Sequence, residues 1–281
     1  MTAAPARTPG GRLDATPAHP VRIEVTEGVA VLTMSRPQVR NAIDPAMRRA
    51  LRSSIADVET DDAVEVIVLT GDDPAFCAGL DLRILGAEPD VLLGDEPAAG
   101  ERTARPTGSH SPFPDRTKPL IGAVNGAAIT GGFELALNCD FLIASERAVF
   151  ADTHARVGVM PGWGLTALLT DAVGRTRARE ISLTGNFVTA EQALAWGLVN
   201  RVVAHDDLLP TVLSLAADIV DNDRAGVRRM LATYREQEQA SLAEAWDLET
   251  AGASAFIRDL SPDSGVEARL EGVIDRGRRQ L

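Results

Sequence analysis

The chain has 281 residues, a formal net charge of −12, 45% hydrophobic and 24% charged residues. That is enough for one large soluble domain with a full core, or such a domain plus a helical appendage. No apolar run reaches the length of a membrane span, and the acidic balance argues against nucleic acid as a partner, so an anionic ligand must find a local basic pocket.

Residues 1–20 are rich in Ala, Pro, Thr and Gly without periodicity, which predicts a disordered tail. Its prolines interrupt the amphipathic helix that a transit peptide would need. Val21–Val25 and Val29–Met34, joined at Glu27-Gly28, read as a hairpin. A helix follows from Asp44 to about Val58, with Asp44 as N-cap and Pro45 at its first position. Val64–Gly71 reads as a buried strand. Gly86–Lys118, rich in Pro, Gly and charge, reads as a long loop around a short helix at Asp90–Leu93, of the kind that forms lids. Leu120–Val124 and Asp140–Ala144 read as strands flanking a helix, a β-α-β unit with a parallel crossover. Short helices are expected at Thr166–Ala172, Thr176–Leu183 and Ala190–Gly197, and a strand at Leu198–Val203. Beyond Asp206 the periodicity is helical only, at about Asp207–Asp221, Ala225–Glu236, Leu242–Asp259 and Ser264–Arg279. The fold class is therefore α/β, with a core over residues 21–205 and a helical section over 206–281.

Two segments carry chemistry. In Asn125–Asp140 an apolar run enters a glycine-rich turn and a helix-forming stretch that holds Glu134. Glycine suits positive φ or close approach of a ligand to the main chain. A helix start offers unpaired N–H groups and the positive end of the dipole. The second segment, Ala75–Leu82, has the same character: a strand, a turn at Asp72-Asp73-Pro74, then small residues and Gly79 before another expected helix. Two such turns can supply two N–H donors to one carbonyl oxygen, with a carboxylate beside them to move a proton.

With these segments the chain resembles the crotonase, or enoyl-CoA hydratase/isomerase, family. Four blocks stand in the family's order: Ser35–Ala42 (R-P-x-x-x-N-A), Ala75–Leu82, Asn125–Asp140, and Leu183-Thr184-Gly185 followed by Ala190–Val199. The resemblance spans about residues 21–275. It implies a spiral of β-β-α turns whose C-terminal helices pack subunits into trimers or dimers of trimers. It also implies an acyl-CoA thioester as substrate and an oxyanion hole built from the backbone N–H groups of Leu80 and Gly131, with Ala78 in the same substrate-binding segment.

Glu134 aligns with one of the family's two catalytic glutamates. The second belongs at position 154, where this chain has His. A histidine titrates near neutrality and can serve as proton partner, or it can be structural; Asp152 is the nearest acid and a weaker candidate. Trp163, where the family has a small residue, either lines the acyl pocket or fills core. Arg36 and Arg40 are candidates for contacts with CoA phosphate or ribose, the alternative being solvated surface charge, and Asp81 is a cap for the helix after the first turn. The four histidines lack metal-ligand spacing, and there is no phosphate-binding P-loop and no dinucleotide fingerprint. The two cysteines, Cys77 and Cys139, read as buried free thiols, as expected of a reducing compartment. Lys118 is the only lysine, which reads as coding bias.

The resulting expectation is a cytoplasmic acyl-CoA enzyme acting through a thioester enolate, with no cofactor beyond the CoA of its substrate and no membrane partner. The first expectation is 2-enoyl-CoA hydration. The rivals are Δ3-Δ2 isomerisation or another enolate reaction using Glu134 alone, and, from a different class, a non-catalytic acyl-CoA-binding protein.

Overall fold

A computed structural model of the protein describes residues 19–81 and 111–237. The first 18 residues, the short helix expected at Asp90–Leu93, the helix expected after Asp81 and the two last expected helices lie outside them. The expected hairpin forms from β1 (Val21–Thr26) and β2 (Val29–Met34). Next comes helix α1 (Pro45–Thr60), whose N-cap Asp44 accepts the Met47 N–H at 2.7 Å, with proline at the helix start. The strands β3 (Val66–Gly71), β5 (Leu120–Val124), β7 (Phe141–Ser145) and β10 (Arg201–Val203) extend the hairpin into a six-stranded sheet, ordered β1-β2-β3-β5-β7-β10 and parallel after the first pair. Strand β10 is shorter than expected, because Leu198 and Val199 are buried in the turn before it.

A second sheet escapes the sequence reading. It consists of β4 (Ala75–Cys77), β6 (Ala127–Ile129), β8 (Val149–Ala151) and β9 (Val188–Thr189), with β4, β6 and β8 parallel and β9 antiparallel. Strands of two or three residues carry no readable alternation. Their pairing produces a repeat: β3 leads to β4, β5 to β6, and β7 to β8. Three times a strand of the large sheet is followed, after a short corner, by a strand of the small one. The carboxyl ends of three adjacent short strands therefore lie side by side, within the ordinary strand spacing of about 4.8 Å.

Buried asparagines fasten the corners. Asn41 donates to the carbonyls of Asp72 and Ala75, both at 2.7 Å, and accepts the Arg36 N–H at 2.9 Å. Asn125 donates to Asp73 Oδ1 at 2.9 Å and accepts the Gly71 N–H at 3.3 Å. Buried polar groups need such partners, and here they join separate segments.

The remaining helices are α2 (Gly131–Leu137), α3 (His154–Val157), α4 (Leu165–Val173), α5 (Arg175–Thr184), α6 (Ala190–Ala195) and α7 (Leu208–Val220). The main core gathers Leu32, Met47, Ile55, Leu69, Phe76, Phe133 and Phe150. A second cluster places Leu208, Val212 and Ala216 of α7 against Val66, Val68, Ile121 and Ile143 on the other side of the large sheet. Helix α7 covers a sheet face whose apolar residues need burial, and the first compact unit ends at Asp221. A second unit starts at Asn222 and holds α8 (Arg224–Gln237).

Lys118 is not merely a trace of codon usage. It is 1% exposed, and its ammonium donates to the Val58 carbonyl at 2.6 Å and to that of Asp61 at 2.8 Å, at the C-terminal end of α1. A cation there complements the helix dipole and satisfies carbonyls with no intrahelical partner. Lys118→Met should cost about 1–3 kcal/mol by leaving the buried Val58 carbonyl bare, while that of Asp61 keeps the Val64 N–H at 3.0 Å. Urea unfolding checks this: the midpoint falls at an unchanged m-value, and an unchanged midpoint refutes the role.

Candidate active site

Each short parallel strand delivers one part of the site. After β4 comes the turn Ala78-Gly79-Leu80, with Gly79 at φ +88°. Three bonds tie it to the preceding block: Ala78 N–H to Arg40 O at 2.9 Å, Ile43 N–H to Gly79 O at 2.8 Å, and Asp81 N–H to Ile43 O at 2.9 Å. The ladder uses the groups on either side of Leu80 and passes over the Leu80 N–H itself.

After β6 the chain reverses at Thr130 and enters α2. The residue with positive φ is Thr130 (+54°), not a glycine, an unusual state for a β-branched residue. It is fixed from three sides. Its N–H donates to Ala151 O at 2.8 Å, its carbonyl accepts the Glu134 N–H at 2.9 Å, and its hydroxyl bonds that of Thr153 at 2.6 Å. The glycines serve close approach instead. A Cβ on Gly132 would sit 2.0 Å from the Cys77 carbonyl oxygen, so α2 presses its first turn onto the end of β4. A Cβ on Gly131 would lie 3.7 Å from Gly79 Cα, which sets the two turns face to face. Gly131 opens α2, and its N–H has no partner within the helix. The two expected N–H donors thus stand on adjacent turns.

After β8 come Asp152, Thr153 and His154. Glu134 and His154 are buried, at 3% and 4% exposure, and their Oε2 and Nε2 are 3.6 Å apart. The other Glu134 oxygen accepts the Trp163 N–H at 2.7 Å. Asp152 Oδ1 lies 2.6 Å from His154 Nδ1 and accepts the His154 backbone N–H at 3.1 Å. The array runs Asp152–His154–Glu134.

Burial raises the Glu134 carboxyl above its ordinary range, with the Trp163, Leu165 and Gly162 N–H groups and the His154 charge opposing. Asp152 is also buried, but hydrogen bonds from His154 and the Ser182 hydroxyl hold it below the usual carboxylate range. Two neighbouring carboxyls are thereby driven in opposite directions, the pattern that separates a proton carrier from a permanent anion. Cys77 and Cys139 are pushed up to about 12 by burial, so neither is a thiolate nucleophile.

The other expected residues have definite places. Trp163 packs against the main core, and its ring edge comes 3.5 Å from where a Gly131 Cβ would be. Arg36 is engaged internally with Asp44 (3.0 Å), Asp81 (3.7 Å) and the Ala42 carbonyl (2.6 Å), so it braces the first turn. Arg40 is exposed beside that turn. Asp81 is 5% exposed and meets Arg36. Asn138 was missed: its amide donates to the carbonyls of Glu134 and Trp163, both at 2.9 Å, which ties the Trp163 loop to α2. Its position four residues after Glu134, one helical turn on, was the available signal.

Residues 24–273 match the family model described as Enoyl-CoA hydratase/isomerase. The chain belongs to that family. An enoyl-CoA hydratase structure from Mycobacterium tuberculosis is 47% identical, covering 84% of this chain and 98% of that one, with a TM-score of 0.69. A probable peroxisomal enoyl-CoA hydratase of Arabidopsis thaliana is 36% identical over 84% of this chain and 86% of its own. The 1,2-epoxyphenylacetyl-CoA isomerase of Escherichia coli is 34% identical over 88% and 93%. The chain is thus an enzyme of the lyase or isomerase type with a crotonase fold.

The buried carboxyl of Glu134 has a consequence for stability. A raised folded-state pKa stabilises the fold fully below the ordinary glutamate value of 4.5, and that contribution is lost as pH rises through the folded value. Glu134→Gln cannot ionise, yet its amide oxygen still accepts from Trp163. The variant should melt above the parent at about pH 8, and the gap should close towards about pH 4.5. Thermal unfolding at both pH values checks this; a gap independent of pH contradicts it.

Proposed function

We propose that this enzyme adds water to a trans-2-enoyl-CoA. The observation that carries the reading is the Glu134–His154 pair, 3.6 Å apart, beside two facing turns whose Leu80 and Gly131 N–H groups are left for a ligand. The thioester carbonyl accepts from both N–H groups, which gain most when that oxygen becomes an enolate. One water can touch both Nε2 and Oε2.

The pair holds one proton, so it always offers one acid and one base. The base takes a proton from water as the water oxygen bonds to C3. The C2=C3 π electrons move towards the thioester and give the enolate. The acid then delivers its proton to C2, and the enolate electrons form that C–H bond. The pair ends with its proton on the opposite member, and transfer across the short gap resets it.

Arg40 is the charge we assign to the CoA phosphates, because Arg36 is engaged within the chain. The reading uses no metal and no cofactor apart from the CoA of the substrate. Assembly into trimers or dimers of trimers and a cytoplasmic location belong to the same proposal.

Double-bond isomerisation uses the same hole with a single proton carrier, and the matching family model is described as covering isomerases as well as hydratases. Loss of the conjugated thioester absorbance of crotonyl-CoA distinguishes the two. We expect turnover by the parent, a loss of about 10²–10⁴-fold in kcat/KM for Glu134→Gln, and a comparable loss for His154→Ala. Failure of the parent on crotonyl-CoA together with turnover of a 3-enoyl-CoA overturns hydration in favour of isomerisation. Binding of acyl-CoA with no turnover of either ester overturns both and leaves another enolate reaction of the family or the binding-protein reading.

A further inference from the structure

We propose that Asp152 is a positioning residue that locks His154 in its Nδ1–H tautomer, leaving Nε2 as the ring atom that exchanges protons with Glu134. The inference rests on the proposed acid–base role of His154, but its primary readout does not require turnover.

The geometry supplies the argument. Asp152 Oδ1 lies 2.6 Å from His154 Nδ1 and also accepts the His154 backbone N–H at 3.1 Å. An ionised carboxylate only accepts, so the proton between it and the ring belongs to Nδ1. A neutral ring then has its lone pair on Nε2, 3.6 Å from Glu134 Oε2. Asp152 is 2% exposed, so water does not compete for the bond. The Ser182 hydroxyl, from α5, lies beside the same carboxyl group and helps keep it ionised.

The opposite tautomer would place a hydrogen on Nε2 and the lone pair towards Asp152, setting two acceptors against each other at Nδ1. It would also prevent neutral His154 from taking a proton from water. Among the described residues, the charged and titratable groups facing the ring are Asp152 on its own segment and Glu134 on α2. From α5 the polar contact with this array is Ser182, a group that does not titrate, whereas Arg156 points to the Thr184 carbonyl and Asn186. A second carboxylate, the family's arrangement at this position, needs no tautomer control. An imidazole does, and Asp152 meets that requirement.

Nitrogen-15 NMR of histidine-labelled protein, with the His154 signals assigned by their loss in His154→Gln, reads the tautomer directly. In the parent at alkaline pH the Nδ1 signal should be that of a protonated nitrogen and the Nε2 signal that of a bare one. Asp152→Asn should reverse or mix them, lower kcat/KM for crotonyl-CoA about 10²–10⁴-fold with KM changed little, and move the alkaline limb of the pH profile to lower pH, because the pair gives up its proton more readily. Asp152→Glu should restore part of the activity and the parent tautomer. If Asp152→Asn does not fold, Ser182→Ala provides the test: a smaller shift in the same direction is expected. Parent-like signals and an unmoved pH profile in whichever variant folds overturn the inference. They would do so while leaving hydration by the parent intact, so failure of this step is separable from failure of the proposed reaction.

Discussion

The site depends on the parallel pairing of three very short strands. Ala127 pairs with Ala75 on one side and Val149 on the other, and Ile129 pairs with Ala151. Hydrogen bonding at strand spacing leaves the chain little choice about where the next residues go. The first turn, the start of α2 and the Asp152–His154 segment leave the sheet at neighbouring points. The Thr130 N–H bond to Ala151 and the contact between Gly132 and the Cys77 carbonyl extend that registration into the site. The positive φ of Thr130, a conformation costing on the order of 1–3 kcal/mol, persists because the bonds around it over-determine the backbone.

Burial then does two different things to two carboxyls. Glu134 lies beside the reacting region with its proton favoured by desolvation, while Asp152, just behind, is kept ionised by the hydrogen bonds it receives. The imidazole between them is the only member with two exchangeable faces. A site with two carboxylates must separate their roles through their surroundings. Here the separation is built into the chemistry of the residues, and the surroundings need only orient the ring.

Much of the fold was legible because it is written in long, strongly patterned segments. The hairpin, α1 with its Asp44 cap, the β5–α2–β7 crossover, α4, α5 and α7 follow from periodicity and capping. The second sheet was not legible, since its strands are too short for alternation, and neither was the membership of α7 in the core, which depends on a sheet face that only tertiary structure reveals. At the site, Glu134, Leu80, Gly131 and His154 stood out through glycine turns and the family's order of blocks. The roles of Asn41, Asn125 and Asn138 did not, because they join segments far apart in the chain. In the sequence the glycines of α2 read as permissive turn residues, yet Gly132 is needed for want of a side chain rather than for its dihedral angles. Lys118 shows the same gap: a lone lysine in an arginine-rich chain has no meaning until the end of α1 lies over it.

The central claim is that Glu134 and His154 act as one unit sharing one proton. A double-mutant cycle on kcat/KM for crotonyl-CoA, using Glu134→Gln, His154→Ala and the double variant, addresses it most directly. The account predicts that the double variant is about as impaired as the worse single variant, because losing either member already breaks the exchange. Losses that multiply would show two independent contributions and contradict it.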